Sequence, residues 1–324
     1  MPQRRDVLLT AAAAATAAVA VPAPAAAQAQ QPSAAPAPMR EGEDFHRFRV
    51  GEIPVTVVRD GTGVRPDATR GFITNASPEA ISAALAAAGT PGPALTNTFN
   101  QTIVGTRAGL VLIDVGFGPS GGPPGTGRML DAARAAGLDP AQITTVVFTH
   151  FHGDHVGGLL NADGSAAFPN AAIKVPEPEW AYWMDEGEAS RAPEARRPAF
   201  ANAGRRFGPY AGRVERFRPG AEVAPGVTSV ATHGHSPGHT SFLIADGREQ
   251  CMVIGDAVNT PALFMANPEW VAIFDMDPAM ATATRKALLD RAATERMRVV
   301  GYHFPMPATG LVERAGSGYR LVPS

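Results

Sequence analysis

The chain has 324 residues, of which 45% are hydrophobic, and a formal net charge of −2. That is enough apolar content for a large core, and the balance of charge excludes the global basic field that nucleic-acid binding needs. A single cysteine, Cys251, rules out an internal disulfide and a thiolate cluster, so any bound metal must be held by His, Asp or Glu.

The first segment reads as an export signal. Arg4-Arg5 precede an alanine-rich apolar stretch from Val7 to Val21, and small residues follow at Ala25 to Ala29. The paired arginines with Asp6-Val7-Leu8 resemble a twin-arginine leader, which implies a periplasmic or secreted protein. The apolar core is short for a membrane span, so no stable membrane insertion is expected once residues 1–29 are removed. Residues 30–44, rich in Pro and Ala at their start, read as a linker, and 45–324 as one folded domain.

Along that domain, Phe45 to Arg59 alternates in patches and reads as strands ending at an Asp60-Gly61 turn. Residues 78–88 read as a helix, capped by Ser77, started by Pro78 and stopped by Gly89. Thr102 to Val104 and Gly109 to Val115 read as strands, and Met129 to Ala136 as a helix. Thr145 to Phe148 is a β-branched apolar run, the pattern of a buried strand. Ala171 to Val175 is a further strand. Glu177 to Glu188 reads as a short helix bearing Trp180, Tyr182 and Trp183, and the Arg-rich segment 190–213 as partly helical and surface-lying. Strands return at Val227 to Ala231, Ser241 to Ala245 and Cys251 to Ile254, with Cys251 an inert buried residue. Asp277-Pro278 opens a long helix to about Met297, Val299 to Gly301 is a strand, and Leu311 to Val322 closes as a hairpin. Two rounds of strands and helices fit two stacked sheets flanked by helices.

The chemistry is concentrated straight after the Thr145 strand, in Thr-His-Phe-His-Gly-Asp-His-Val-Gly-Gly-Leu. His150, His152, Asp154 and His155 lie within six residues. Imidazole and carboxylate suit zinc, iron or manganese. Alternation at a strand end aims His150 and His152 the same way, while Asp154 and His155 project from the turn, which suggests two adjacent metal positions. Seven of the eight histidines fall in clusters, the others being His233, His235 and His239 in Thr-His-Gly-His-Ser-Pro-Gly-His-Thr, and His303 in Gly-Tyr-His-Phe-Pro-Met-Pro.

These runs resemble the metallo-β-lactamase superfamily, over about residues 45–322. The resemblance implies an α+β fold, a four-layer αββα sandwich, and a dinuclear centre of two divalent cations, most simply zinc. It implies His150, His152 and His235 on one metal, Asp154, His155 and His303 on the other, and Asp256 bridging the two. His239 and Asp114 are then expected to hold the site by hydrogen bonds rather than bind metal. The implied activity is hydrolysis, by a hydroxide made available between the cations at neutral pH, with Asp154 also handling the proton of the leaving group.

Within the superfamily the three histidine runs most resemble the methyl parathion hydrolase branch, which implies esters, lactones or phosphotriesters as small-molecule substrates. Phe117, Trp180 and Trp183 are candidate walls of the substrate pocket, with ordinary core packing as the alternative. Acyl-homoserine lactonases are the nearest competitor. Their motif places a tyrosine three residues after the bridging aspartate, where this chain has Asn259. A β-lactamase activity ranks below both, and a metal-binding scaffold without turnover is the non-enzymatic alternative. A homodimer is implied by resemblance alone.

Overall fold

The computed structural model describes residues 38–119 and 121–323; the leader expected over 1–29 lies outside the described residues, as does most of the linker. Fourteen strands form two seven-stranded mixed sheets. The first runs in chain order: β1 (Phe45–Val50), β2 (Ile53–Arg65), β3 (Leu95–Thr106), β4 (Gly109–Ile113), β5 (Ile143–Val147), β6 (Ala172–Pro176) and β7 (Val214–Phe217). Its first half is antiparallel and its second half, from β4 onward, parallel. The second sheet comprises β8 (Glu222–Ala224), β9 (Val227–Ala231), β10 (Thr240–Asp246), β11 (Glu249–Val253), β12 (Arg298–Val300), β13 (Thr309–Ala315) and β14 (Gly318–Pro323), with only β11 and β12 parallel.

Side-chain alternation along each strand builds the layers. Val55, Val57, Val111, Ile113 and Val147 turn into one core, where they meet Phe242, Ile244, Cys251 and Val299 of the other sheet. Their neighbours Val58, Leu112 and Val146 turn the opposite way, into a second core under helices. Those helices are α2 (Met129–Ala135), α4 (Glu177–Trp183) and α6 (Arg197–Phe207), while α1 (Pro78–Ala87), α7 (Pro261–Phe264) and α8 (Pro278–Thr294) pack with the inter-sheet core. Helix α3 (Gly153–Val156) and α5 (Glu186–Arg191) are single turns. This is the αββα sandwich expected. Burial pushes the Cys251 thiol up to about 12, consistent with an inert core residue.

Three local expectations are corrected. Asp60-Gly61 is not a turn: β2 continues to Arg65, and the register shifts between Arg59 and Gly61 as a bulge. The bulge aims the Asp60 carboxylate inward, where it accepts N–H bonds from Phe117 (3.1 Å), Gly127 (3.0 Å) and Met129 (3.1 Å). The helix expected over 177–188 is two, broken where Asp185 caps α5. The Arg-rich segment is not simply a solvated face. Its helix α6 buries Phe200, Ala203 and Phe207, and Arg206 is buried and donates to the Gly157 carbonyl (2.7 Å). Strands β7 and β8, too short to show alternation, had no signal in the sequence.

Asp60 is 1% exposed, so Asp60→Ala would strand three backbone donors in the interior. We expect the unfolding free energy to fall by about 2–4 kcal/mol, read by denaturant titration. Asp60→Asn should recover little, because both carboxylate oxygens accept N–H bonds and an amide offers only one oxygen.

Candidate metal centre

The ends of five strands meet at one edge of the sandwich. After β4, Asp114 takes a left-handed conformation (φ 60°), which Asp tolerates better than most residues. Its Oδ1 accepts from the Thr149 amide (2.8 Å), and its Oδ2 accepts from the Thr149 hydroxyl (2.8 Å) and from His155 Nδ1 (2.8 Å). Asp114 therefore fixes the loop that leaves β5. The loop presents His150 and His152, then coils into α3 with Asp154 and His155, then packs Gly157-Gly158 against the β4 exit. A Cβ on Gly158 would collide with the Val115 carbonyl oxygen, which accounts for the glycine pair closing the motif.

His235 comes from the β9–β10 loop, Asp256 from the turn after β11, and His303 from the turn after β12. In four of the imidazoles the Nδ1 proton has an acceptor. His150 donates to the Thr149 hydroxyl oxygen (3.0 Å), His155 to Asp114, His235 to Asp275 Oδ1 (3.0 Å) and His303 to the Thr98 carbonyl (2.9 Å). Each, in its neutral form, has an Nε2 lone pair aimed inward. His152 offers Nδ1 instead, 2.9 Å from His150 Nε2 and 3.0 Å from His235 Nε2.

All seven expected ligands converge, in three overlapping sets: His150, His152 and His235; Asp154, His155 and His303; and His150, His155 and Asp256. Asp256 sits between the first two, its Oδ2 3.5 Å from His235 Nε2 and 3.1 Å from His303 Nε2, its Oδ1 3.4 Å from His155 Nε2. Asp154 Oδ2 is 3.5 Å from His155 Nε2 and 3.6 Å from His303 Nε2. Donors about 2.0–2.1 Å from a tetrahedral ion stand roughly 3.3 Å apart, so these edges are those of a coordination shell. One proton on His152 can bridge to His150 or His235 but not to both, and His155 Nε2 and Asp256 Oδ1 are buried without any hydrogen-bond partner. The donor set fits divalent cations.

Charge agrees with this. Burial and the neighbouring imidazoles hold His150 and His152 well below the usual histidine range, as neutral ligands. Against the cost of burial, Asp154, Asp114 and Asp256 pull His155 well above it, and Asp256 raises His303 as well. His239 is driven down to about 3 by burial. It stays neutral, accepts from the Asp256 amide through Nε2 (3.0 Å), and donates from Nδ1 to Thr232 O (3.1 Å), so it orients the Asp256 turn without joining the ligand set.

Several supporting groups carry no local signal in the sequence. Glu179 of α4 is fully buried and accepts from the Phe151 amide (3.0 Å), Trp183 Nε1 (2.6 Å), Ser236 Oγ (2.8 Å) and the Gly238 amide (2.7 Å). It joins the His150–His152 loop to the His235 loop. Asp275, behind His235, is itself paired to the fully buried Arg285 (3.0 Å). Tyr302 stacks on His155 with ring centroids 3.8 Å apart, and its hydroxyl donates to the Asp154 carbonyl.

The ligands open onto a cavity of about 390 Å³ walled by Arg65, Asn97, Phe99, Asn259 and Phe274. Asn259 is thus placed as expected, and the other three candidate walls are not. Phe117 packs one layer back, edge-on to Phe99 (4.7 Å). Trp180 packs against Phe151 and Phe207, and Trp183 is buried behind His152 (6.0 Å), tied to Glu179. Trp180 and Trp183 pack in the second core, whereas Phe117 is half-buried against Phe99. His233 is half-buried and stands apart from the ligand sets.

A family profile described as the metallo-beta-lactamase superfamily matches residues 100–303. The chain belongs to the metallo-beta-lactamase superfamily. Among curated proteins it is similar to the N-acyl homoserine lactonase AttM of Agrobacterium fabrum, 32% identical over 127 residues, or 36% of this chain and 41% of that one. It is also similar to the N-acyl homoserine lactonase AiiA of Bacillus thuringiensis subsp. kurstaki, 25% identical over 170 residues, 52% of this chain and 59% of that one. The chain spans about half the length of the curated relatives it matches. Among solved structures, AidC, a dizinc quorum-quenching lactonase, superposes with a TM-score of 0.81 at 23% identity, covering 87% of this chain and 98% of AidC. The hydrolase AbOPH of the beta lactamase superfamily gives 0.81 at 26% identity with the same coverage. The fold likeness therefore runs through nearly all of both neighbours. The relatives named as lactonases bring forward the competitor rather than the methyl parathion hydrolase branch.

Two outcomes follow from this geometry. Glu179→Ala strands buried donors on both ligand loops, so we expect a loss of about 2–4 kcal/mol in stability and a 10- to 100-fold weaker hold on the first cation, measured by chelator competition. His155 and His303, raised above their ordinary range without metal, must lose protons to coordinate. Cation uptake in weak buffer near neutral pH should therefore release protons, and affinity should rise with pH, as calorimetry in buffers of different ionisation enthalpy can measure.

Proposed function

We propose that the protein is a dinuclear metal hydrolase whose substrate is a carboxylic ester closed as a lactone. The observation that carries this reading is two ligand sets with Asp256 within 3.1–3.5 Å of members of both, beside a walled cavity. His150, His152 and His235 would hold one cation, Asp154, His155 and His303 the other, with Asp256 between them. Zinc is supported by the ligand types and by the dizinc neighbour. Two cations held there would supply hydroxide near neutral pH and draw electron density from the carbonyl oxygen.

The chain's own residues then divide the work. The Nδ1 acceptors Thr149, Asp114, Asp275 and Thr98 keep four imidazoles in place before substrate arrives, so none of that ordering falls on the reaction itself. Phe99 and Phe274 exclude water and receive apolar parts of the substrate. Lactone opening forms a carbon–oxygen bond to the entering oxygen and breaks the ring carbon–oxygen bond, and the proton from the entering oxygen ends on the released alkoxide. Asp154, 19% exposed at its side chain and lining the cavity, is placed to carry that proton.

A second reading, open esters or phosphotriesters, is favoured by Asn259. It lines the cavity where the lactonase resemblance expects a tyrosine hydroxyl on the lactone carbonyl. Export through the twin-arginine-type leader and a homodimeric working form complete the proposal, resting on the sequence of residues 1–29 and on resemblance respectively.

The test is metal content and turnover on one purified sample, with an acyl-homoserine lactone, a γ-lactone, a p-nitrophenyl ester, methyl paraoxon and nitrocefin. We expect two divalent cations per chain and fastest turnover on a lactone. His303→Ala should lower kcat/KM by more than about 100-fold, beyond the loss typical of groups behind the ligands. One cation or none, with no turnover after reconstitution, would leave a metal-binding scaffold. Turnover confined to methyl paraoxon or the open ester would select the second reading.

A further inference from the structure

We propose that Arg65 makes the cavity selective for substrates that carry a carboxylate away from the bond to be broken. The inference rests on the hydrolase reading above, since it assigns the specificity of the same site. Arg65 ends β2 and is the one Arg or Lys among the described residues lining the cavity. Its guanidinium carbon lies 4.8 Å from the ring centre of Phe72 and 5.8 Å from that of Phe274. Phe72 is fully buried, so one of these rings is a fixed platform.

Stacking on aromatic faces fixes the plane of a guanidinium and leaves its edge donors free, which is how arginine presents a fork to a planar oxyanion. Here the donors lack a protein partner. Arg65 Nε is buried with no hydrogen-bond acceptor, and no ion pair among the described residues involves Arg65. The other buried arginines are satisfied. Arg285 pairs with Asp275, and Arg206 donates to Gly157 and Asn202. The two carboxylates in the same cavity, Asp154 and Asp256, are committed to imidazoles at 3.1–3.6 Å. A guanidinium that lines a walled cavity and has no ion pair among the described residues is an invitation to an anion from outside. Asn97 and Asn259 beside it add amide donors, and Phe99 and Phe274 can grip the chain between the carboxylate and the scissile carbonyl.

The experiment compares two esters of matched length on metal-loaded protein, mono-p-nitrophenyl glutarate and p-nitrophenyl valerate, in the wild type, Arg65→Met and Arg65→Lys. The wild type should favour the glutarate ester by about ten- to a hundredfold in kcat/KM, as expected for a hydrogen bond to a charged group, with the difference in KM. In Arg65→Met the ratio should fall to near one, and Arg65→Lys, a point charge without the fork, should lie between. A ratio near one in the wild type, or one that survives in Arg65→Met, would overturn the proposal. So would a fall on both esters alike, which would mark Arg65 as a strut for Phe72 and Phe274. Calorimetric binding of glutaramate to the same proteins separates the two readings. If neither open ester is turned over, the lactone reading is decided by the lactone assays above and this inference by glutaramate binding: tenfold weaker binding in Arg65→Met supports it, and equal or absent binding overturns it.

Discussion

Five imidazoles and two carboxylates face one another inside the fold, and most of the surrounding structure exists to keep them there. Left alone, lone pairs and carboxylate oxygens at about 3–3.5 Å repel, and burial removes the water that would screen them. The protein answers in two ways. Each of four imidazoles donates its outer N–H to a fixed acceptor, so the direction of the inward nitrogen is set. The negative charge of Asp154 and Asp256 then makes the pocket a place where a cation is the missing partner. His155 Nε2 and Asp256 Oδ1, buried without hydrogen bonds, show where the demand is greatest.

The acceptors are themselves anchored by long-range contacts, and this ties the site to the sandwich. Asp114 belongs to the first sheet, Asp275 to the segment before α8, Thr98 to β3. Glu179 reaches from a helix outside the first sheet to both ligand loops, and Gly238 has no room for a Cβ against it. Arg285 and Asp275 form a buried pair whose main effect is to orient His235. Such pairs contribute little net stability, yet removing one partner leaves a buried charge alone. The support around the site is thus an all-or-none arrangement, which suits a centre that must be ordered before substrate binds.

Much of this was legible in the sequence, and the division between what was and was not has a physical origin. The ligands are legible because they sit on short turns straight after strands, where local spacing alone fixes direction, as in His150 to His155. The sandwich is legible because β-branched alternation and capped helices such as Ser77-Pro78 are local signals. Asp60, Glu179, Asp275 and Arg285 were not legible, since each acts on residues up to tens of positions away and no periodicity marks a buried charge. The aromatic run at Trp180 to Trp183 misled for the same reason. Trp183 lies close to His152 but turns its indole N–H to Glu179, a contact set by the fold rather than by its neighbours in sequence.

The two halves of the cavity also differ in origin, and this bears on how such a site can change its substrate. The metal-binding half comes from loops after β5, β9, β11 and β12, locked by the acceptors described above. The opposite wall comes from the end of β2, the start of β3 and the Phe274 segment, joined by the Ile73–Ala272 bridge. Phe274 is 45% exposed, and Arg65 rests on aromatic rings with no ion pair among the described residues and no acceptor for its Nε, so this wall carries few of the constraints that fix the other. A substitution at Arg65 or Phe274 alters what the cavity accepts without touching the Nδ1 acceptors. Chemistry and much of the selectivity are held by separate parts of the fold, which is why the ligand motifs identify the reaction class and leave the substrate to residues such as Arg65 and Phe274.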